Sequence, residues 1–228
     1  MHNIVKSVCI AAIFLLLSGC GAKGKINYKT DDISLETEQY TINGEIITLG
    51  GSSDGISEFN ENAENEAKLW QEDFESRVSS TSVFSETQPT LQFSSTVRLN
   101  RDGIISITSD KYVYVSALHG NTWKSARTYD SKYDKMLCLS DLFIDDNYAD
   151  FLTERINDLI SENTDEYHDL WEKPSIDKKR EDKFYLDGKN LVIFFEPYEL
   201  SYYARGVVEF PISLENLRGY IKEEYLNR

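Results

Sequence analysis

Apolar side chains recur at steps of three and four residues in three parts of the chain, the spacing of a helix with one buried face. The first stripe consists of Ile56, Phe59, Ala63, Ala67, Trp70, Phe74 and Val78. Ser53 or Asp54 can cap the start of this helix, and Trp70 and Phe74 are predicted to anchor the core. A second helix is predicted over about 147–161, and Ser213 is expected to cap a third. The stripe of that third helix is Leu214, Leu217, Ile221 and Tyr225.

Alternation of apolar and polar positions predicts strands between these helices. Strands are expected at 91–99, 104–108, 111–118, 123–129 and 207–212, with a hairpin over 184–195. A strand pair is also predicted within 41–49, because Asn43-Gly44 is typical of a hairpin turn. The connections are short, so neighbouring strands should pair. The pattern therefore predicts an α+β fold, with a mainly antiparallel sheet and helices packed on one face.

The N-terminus has the pattern of a signal peptide. A ten-residue apolar run over 8–17 is too short to cross a bilayer as a helix. It leads into Leu17-Ser18-Gly19-Cys20, which resembles the bacterial lipobox. Residues 1–19 are therefore predicted to be removed, and Cys20 to carry a diacylglycerol anchor. Residues 20–33 are interpreted as the lipidated cysteine and a polar tether. The alternative is an uncleaved membrane anchor with an incidental cysteine.

Charge and cysteine content narrow the class of protein. The chain has 24 Lys and Arg against 39 Asp and Glu, a formal charge of −15, which argues against nucleic acid as a partner. Of the three cysteines, only Cys138 would remain with a free thiol after cleavage and lipidation. No internal disulfide is then available, and Cys138 is expected to be buried and inert because it lies in an apolar stretch.

Several motifs in the second half of the chain occur in an ordered series. They are Leu118-His119-Gly120-Asn121-Thr122, Leu139-Ser140-Asp141-Leu142-Phe143, Phe184-Tyr185-Leu186 and the run from Ile193 to Gly206. Together they resemble the extracytoplasmic C-terminal domain of RsiV-type anti-sigma factors, a domain of unknown function that also precedes the catalytic domain of PdaC-type peptidoglycan deacetylases.

The resemblance implies a division of the chain and a class of ligand. Residues 34–118 would be an N-terminal α+β module like that of the deacetylases, and residues 119–228 the RsiV-like module, packed together as one compact unit. For RsiV it implies recognition of lysozyme, a small basic protein that an acidic domain would attract. We expect a monomer at the extracytoplasmic face of the cell membrane, or in the periplasm or at the outer membrane if the cell has two membranes.

Candidate chemistry is sparse. His119 and His168 form no metal-ligand pattern, so neither a metal nor a cofactor is expected. His119 is compatible with a general base, with ligand contact, or with a structural role in which Gly120 adopts a dihedral barred to other residues. Glu196 and Glu199 resemble a carboxylate pair for glycoside cleavage, but such pairs arise by chance in an acidic chain.

A tyrosine-rich loop is the better candidate for binding, because tyrosine offers a flat apolar face with a polar tip. The alternative is that these rings cover the edge of the core. The residues selected as ligand-binding candidates are His119, Gly120, Asn121, Trp123, Tyr198, Glu199, Tyr202 and Tyr203. The sequence thus favours a non-enzymatic, lipid-anchored envelope protein that binds a lysozyme-type muramidase or peptidoglycan. The alternatives are an envelope glycan hydrolase or accessory enzyme, and a scaffolding lipoprotein.

Overall fold

Two β-sheets stack face to face, and a helix covers the outer side of each sheet. The computed structural model describes residues 24–81, 87–116, 119–177 and 180–226. The larger sheet contains, in this order, β1 (Tyr28–Glu36), β2 (Thr41–Leu49), β3 (Thr90–Arg101), β4 (Ile104–Tyr114), β5 (Asn121–Asp130) and β6 (Lys135–Met136). The smaller sheet contains β7 (Phe184–Asp187), β8 (Asn190–Phe195) and β9 (Val208–Ser213). The helices are α1 (Asp54–Ser80), α2 (Tyr148–Glu162) and the short α3 (Glu223–Leu226).

The predicted fold class is confirmed, since all strand pairs within the two sheets are antiparallel except β2 with β3. Helix α1 forms where its apolar stripe predicted it, and the Ser53 hydroxyl caps it by accepting a bond from the Ile56 amide. Phe74 is fully buried in this stripe, whereas Trp70 is only half-buried and packs edge-on against Phe93. Helix α2 buries Leu152 and Ile156 in the core beneath the smaller sheet.

Tight turns collect at one end of the molecule. Asp102 and Gly103 have φ angles of 50° and 80° and join β3 to β4 as a two-residue hairpin. This is the left-handed pair of positions that an Asp-Gly turn accommodates. The turn from β5 to β6 lies beside it, since the Ser131 amide donates to the Gly103 carbonyl over 2.8 Å. The β7–β8 turn is there as well, because Arg101 donates to the Gly188 carbonyl. We call this side the turn end and the opposite side, where β5 begins, the loop end.

The N-terminal segment is bound to the fold from Gly24 onward. The Ile26 amide and carbonyl both bond the Asn100 side chain over 2.8 Å, and the Gly103 amide donates to the Gly24 carbonyl. All residues from Tyr28 to Glu36 pair with β2. The expectation that 20–33 is a polar tether is therefore wrong for residues 24–33. Strand β1 forms because Ile33 and Leu35 pack on the core beneath α1.

Gly44 does not mark a turn, and the strand pair predicted within 41–49 is one continuous strand. A Cβ at Gly44 would lie 2.1 Å from Cζ of Phe93 on the neighbouring β3. The glycine is therefore explained by the ring that covers it. A similar correction applies to the strands predicted at 104–108 and 111–118, which form a single strand, β4, up to Tyr114.

One further prediction fails because tertiary packing overrides a local pattern. The third helix is instead a 3₁₀ turn over Leu214–Leu217 followed by α3. Its apolar residues are buried, but Ile221 pairs with Phe143 in an isolated β-bridge, which interrupts the helix. The division at 118/119 falls inside the larger sheet, since β5 pairs with β4 along its whole length.

Cys138 is exposed, which contradicts the expectation of a buried thiol. It lies just before a 3₁₀ turn over Leu139–Leu142 whose apolar residues Leu139 and Leu142 are the buried ones. In the described part of the chain no helix is both long and apolar enough to cross a membrane. The predicted signal peptide and Cys20 lie outside the described residues.

Candidate ligand-binding site

Aromatic rings from two distant parts of the sequence meet at the loop end. The His119 imidazole stacks on the Tyr203 ring, with centroids 4.4 Å apart and planes 16° from parallel. The Tyr198 ring also lies beside Tyr203, with the two ring centroids 5.6 Å apart. Tyr198 is 58% exposed and His119 is also exposed, whereas Tyr203 is half-buried. The fold therefore brings together three of the residues that the sequence selected.

A hydrogen bond fixes this stack to the larger sheet. The Tyr203 hydroxyl donates to the Gly120 carbonyl, which also lies 3.1 Å from His119 Nδ1. Gly120 itself is buried, and a Cβ there would lie 2.2 Å from Cζ of Tyr112. The φ angle of Gly120 is not in the left-handed region. The interpretation that it is required for its dihedral is thus wrong, and the space taken by Tyr112 explains it.

The loop from Glu196 to Gly206 holds the tyrosines in a constrained backbone. Tyr198 has a φ of 73°, and Gly206 ends the loop at 75°. A left-handed tyrosine costs of order 1–3 kcal/mol and persists only where its surroundings fix it. Here the Glu199 carboxylate provides that restraint, since it accepts the Glu196 amide over 2.5 Å. Strained residues of this kind cluster at functional sites, which makes the loop a candidate site.

Glu196 and Glu199 serve as structural anchors for this loop. Glu199 pairs with Arg180 over 2.5 Å, and the Arg180 guanidinium lies 3.9 Å above the Phe195 ring. Glu196 accepts the Lys124 amide over 3.1 Å and pairs with the Lys183 ammonium over 3.2 Å. Each carboxylate is thus engaged with cations and backbone amides, which explains both residues without a glycosidase role.

Trp171 lies on a segment that hydrogen bonds join to the tyrosine-rich loop, and the sequence analysis did not select it. Its ring is 53% exposed, and its amide donates to the Leu200 carbonyl over 2.9 Å. The Ser201 hydroxyl donates to the Asp169 carbonyl, which joins the same two loops. Tyr202, 49% exposed, also bonds the Asp169 carboxylate and helps to hold its pKa below the usual range, against the opposing effect of burial. We call His119, Trp171, Tyr198, Tyr202 and Tyr203 the aromatic surface.

Trp171 was not selected as a candidate because its segment has the composition of a charged loop between α2 and β7. A lone tryptophan in such a segment was the available signal, since a large aromatic side chain among charged residues is unusual.

Trp123 is not part of the aromatic surface. It lies on the α1 side of the larger sheet, where the Lys111 ammonium is 4.5 Å from its ring centroid and 5.3 Å from that of Trp70. Burial lowers the pKa of Lys111, and nearby Asp73 opposes the shift. Asn121 starts β5, is half-buried and pairs with Val113. Trp123 is thus explained by core packing, and Asn121 by its place in the sheet.

Metal-ligand chemistry has no candidate site among the described residues, where no three His, Cys, Asp or Glu side chains are grouped to hold an ion. His168 is exposed, and its Nδ1 lies 2.7 Å from the Asp165 carbonyl. A cleft of about 240 Å³ lies at the turn end. It is lined by Gly24, Lys25, Ile26, Asn27, Gly50, Ile56, Gly103, Tyr129 and Ser131.

The fold and its loops define an α+β protein of two stacked sheets with an exposed aromatic surface at one end. Residues 140–215 match the family model described as "Protein of unknown function (DUF3298)". The match lies within the segment for which the sequence resembled a domain of unknown function, and it confirms that part of the resemblance. No curated protein matched the chain.

Two solved structures share the fold. A member of the DUF3298 family from Bacteroides fragilis is 16% identical, with a TM-score of 0.63 over 88% of this chain and 95% of that one. A DUF3298 family protein from Pseudomonas aeruginosa is 13% identical, with a TM-score of 0.57 over 86% of this chain and 95% of that one. At these identities the similarity shows the fold alone.

Proposed function

We propose that this protein is a non-enzymatic, lipid-anchored binding protein of the cell envelope, and that its aromatic surface recognises a lysozyme-type protein or peptidoglycan. The observation that carries the proposal is the exposure of Trp171, Tyr198 and Tyr202 on loops fixed to the fold. Large exposed apolar groups often mark interaction sites, and these rings lie on loops that hydrogen bonds join to one another.

The restraints on these loops favour tight binding. Tyr203 is bonded to Gly120, Trp171 to Leu200 and Glu199 to Arg180. A ligand that contacts rings held in this way loses little additional conformational entropy on binding. Tyrosine and tryptophan also combine apolar contact with a polar group, so they suit both protein partners and sugar rings.

Charge favours a basic protein as the ligand. The chain has a formal charge of −15, and such a surface accelerates encounter with a cationic partner more than it tightens the final complex. The anchor completes the proposal. The signal peptide over 1–19 would direct export and be removed, and the lipid on Cys20 would then hold the domain at the extracytoplasmic face of the membrane, where both ligands occur.

Calorimetric titration of the chain starting at residue 21 tests the proposal. Lysozyme is added at low and at physiological salt, and peptidoglycan fragments are titrated separately. Micromolar or tighter binding that persists at physiological salt supports specific recognition. Binding at low salt alone indicates charge attraction. The absence of binding to both ligands contradicts the proposed ligand class.

Variants locate the site. Trp171→Ala and Tyr198→Ala are each expected to weaken binding by about 2 kcal/mol, roughly 30-fold, as truncation of an aromatic anchor does. Tyr28→Ala is the matched control, because Tyr28 is 47% exposed at the turn end and outside the aromatic surface. Equal losses in all three variants would mean that binding does not depend on this surface.

A further inference from the structure

We infer that the domain stands end-on upon the bilayer, with its turn end against the lipid headgroups and its aromatic surface directed away from the membrane. This inference rests on the proposed lipid anchor at Cys20. The partner surface is a lipid bilayer, and the side that contacts it is set by the point at which the chain joins the fold.

The connection between the lipid and the fold is short. Gly24 is bonded to Gly103, and Ile26 to Asn100, so at most four residues of chain connect Cys20 to the part that is bound to the fold. Four residues span at most about 14 Å when fully extended. The membrane must therefore lie within that distance of Gly24, and the turn end of the molecule is the side that meets it.

The turn end carries charges of both signs. The turn end exposes Lys25, Arg101, Lys132 and Lys189, although the whole chain has a formal charge of −15. Asp102 and Glu224 pair with Arg101 and Lys132, and the carboxylates of Asp54, Asp134 and Asp187 lie on the same side. Opposite charges alternate on this side, so the short connection, and not a net attraction to anionic headgroups, sets the proposed orientation.

Exposed tyrosines also occur at the turn end. Tyr28 and Tyr133 are each 47% exposed there, at the start of β1 and in the β5–β6 turn. Tyrosine is a residue that membrane–water interfaces favour, because its ring enters the apolar boundary while its hydroxyl stays in water.

The length of strands β4 and β5 sets the distance from the turn end to the aromatic surface. Gly103 precedes β4 at the turn end, while His119 and Gly120 precede β5 at the loop end. The 11 residues of β4 extend over about 35 Å. The aromatic surface is thus about that far from the headgroups, accessible to a soluble ligand arriving from outside the cell.

Quenching by lipid-bound probes tests this orientation. The full lipidated chain is placed in vesicles of zwitterionic and anionic lipid that contain a headgroup nitroxide. Single fluorophores are attached through Lys189→Cys at the turn end or Ala204→Cys at the loop end, both exposed, in a Cys138→Ser background. We expect strong quenching at position 189 and little at 204. Equal quenching at the two positions, or stronger quenching at 204, overturns the inference.

A variant with a longer linker tests whether the short connection sets the orientation. About 20 Gly and Ser residues inserted between 23 and 24 add a coil with a root-mean-square length of roughly 25 Å. Quenching at 189 should fall toward that at 204; if it is unchanged, the short connection does not set the orientation. Co-sedimentation with vesicles reports the anchor separately. Failure to sediment disproves both the anchor and this inference, whereas sedimentation with equal quenching disproves the inference alone.

Discussion

The His119 imidazole lies parallel to the Tyr203 ring, 4.4 Å away, although 83 residues separate Gly120 from the tyrosine that bonds it. This contact joins the larger sheet to the loop that follows β8. It makes the aromatic surface a product of two chain segments rather than of one motif. Each segment is held by a contact of its own. Gly120 packs closely against the Tyr112 ring, and Glu199 forms an ion pair with Arg180.

Removing the Tyr203 hydroxyl should loosen this junction. Tyr203→Phe keeps the ring stacked on His119 but leaves the Gly120 carbonyl without that donor. We expect the free energy of unfolding to fall by about 1 kcal/mol, the net value of a typical hydrogen bond. Urea denaturation measures it. Tyr198→Phe is the control, since it removes a hydroxyl from a 58% exposed ring, and a loss as large as that of Tyr203→Phe would contradict the assignment.

Adding one methyl group at Gly120 should be destabilising. The Cβ of Gly120→Ala would lie 2.2 Å from Cζ of Tyr112, so the ring must move. Overpacking of this kind typically costs about 1–3 kcal/mol. Thermal and urea unfolding of Gly120→Ala, Tyr112→Ala and the double variant form a mutant cycle. The cost of Gly120→Ala should disappear once Tyr112 is truncated, and additive effects would exclude the contact as its cause.

The Arg180–Glu199 pair should control the loop more than global stability. The pair is partly exposed, so Glu199→Gln is expected to lower the free energy of unfolding by less than about 1 kcal/mol. The Glu196 amide, which donates to Glu199, should exchange its hydrogen faster, and ligand affinity should fall. Hydrogen exchange and calorimetry report the two effects. Glu215→Gln, which weakens an exposed pair with Arg218, should change neither quantity.

Acid should remove the contribution that the Asp134 carboxylate, at the turn end, makes to the free energy of unfolding. Hydrogen bonds from Ser53 and Tyr129 hold the pKa of the Asp134 carboxyl below its usual value of 3.8. A lowered folded-state pKa contributes stability that is complete above 3.8 and is lost as pH falls through the folded value.

The Asp134→Asn variant isolates that contribution, because asparagine tolerates the left-handed φ of 50° at this position. The wild-type chain should be the more stable one at neutral pH, and the difference should shrink as pH falls below 3.8. Urea midpoints measured across that range test this. Parallel curves for the two chains would show that the carboxylate charge contributes nothing.

Cys138 should react in the folded protein. The residue is exposed, but partial burial of its thiol, with Asp141 and Glu181 nearby, raises its pKa above 9.0. In the chain starting at residue 21, which has no other cysteine, Ellman's reagent should modify it without denaturant. The rate should be slower than that of a free peptide thiol near neutral pH and should rise through alkaline pH. A thiol that reacts only after unfolding would contradict its exposure.

Local signals predicted the elements that depend on local chemistry. The stripe and cap of α1 were predicted correctly, because their causes lie within a few residues of chain. Gly44 was misread because its cause, the Phe93 ring, comes from a strand 49 residues later. The last helix failed for the same reason, since its backbone pairs with Phe143 instead.

The sequence by itself determined the α+β class, the order of most strands and helices, the acidic charge and the tyrosine-rich loop, because periodicity and composition are properties of neighbouring residues. Only the tertiary structure decided which aromatic residues meet. It placed His119 on Tyr203, set Trp171 beside Leu200 and moved Trp123 to the α1 side of the sheet. It also showed that the chain is bound from Gly24 onward, because that depends on side chains such as Asn100, far away in the sequence.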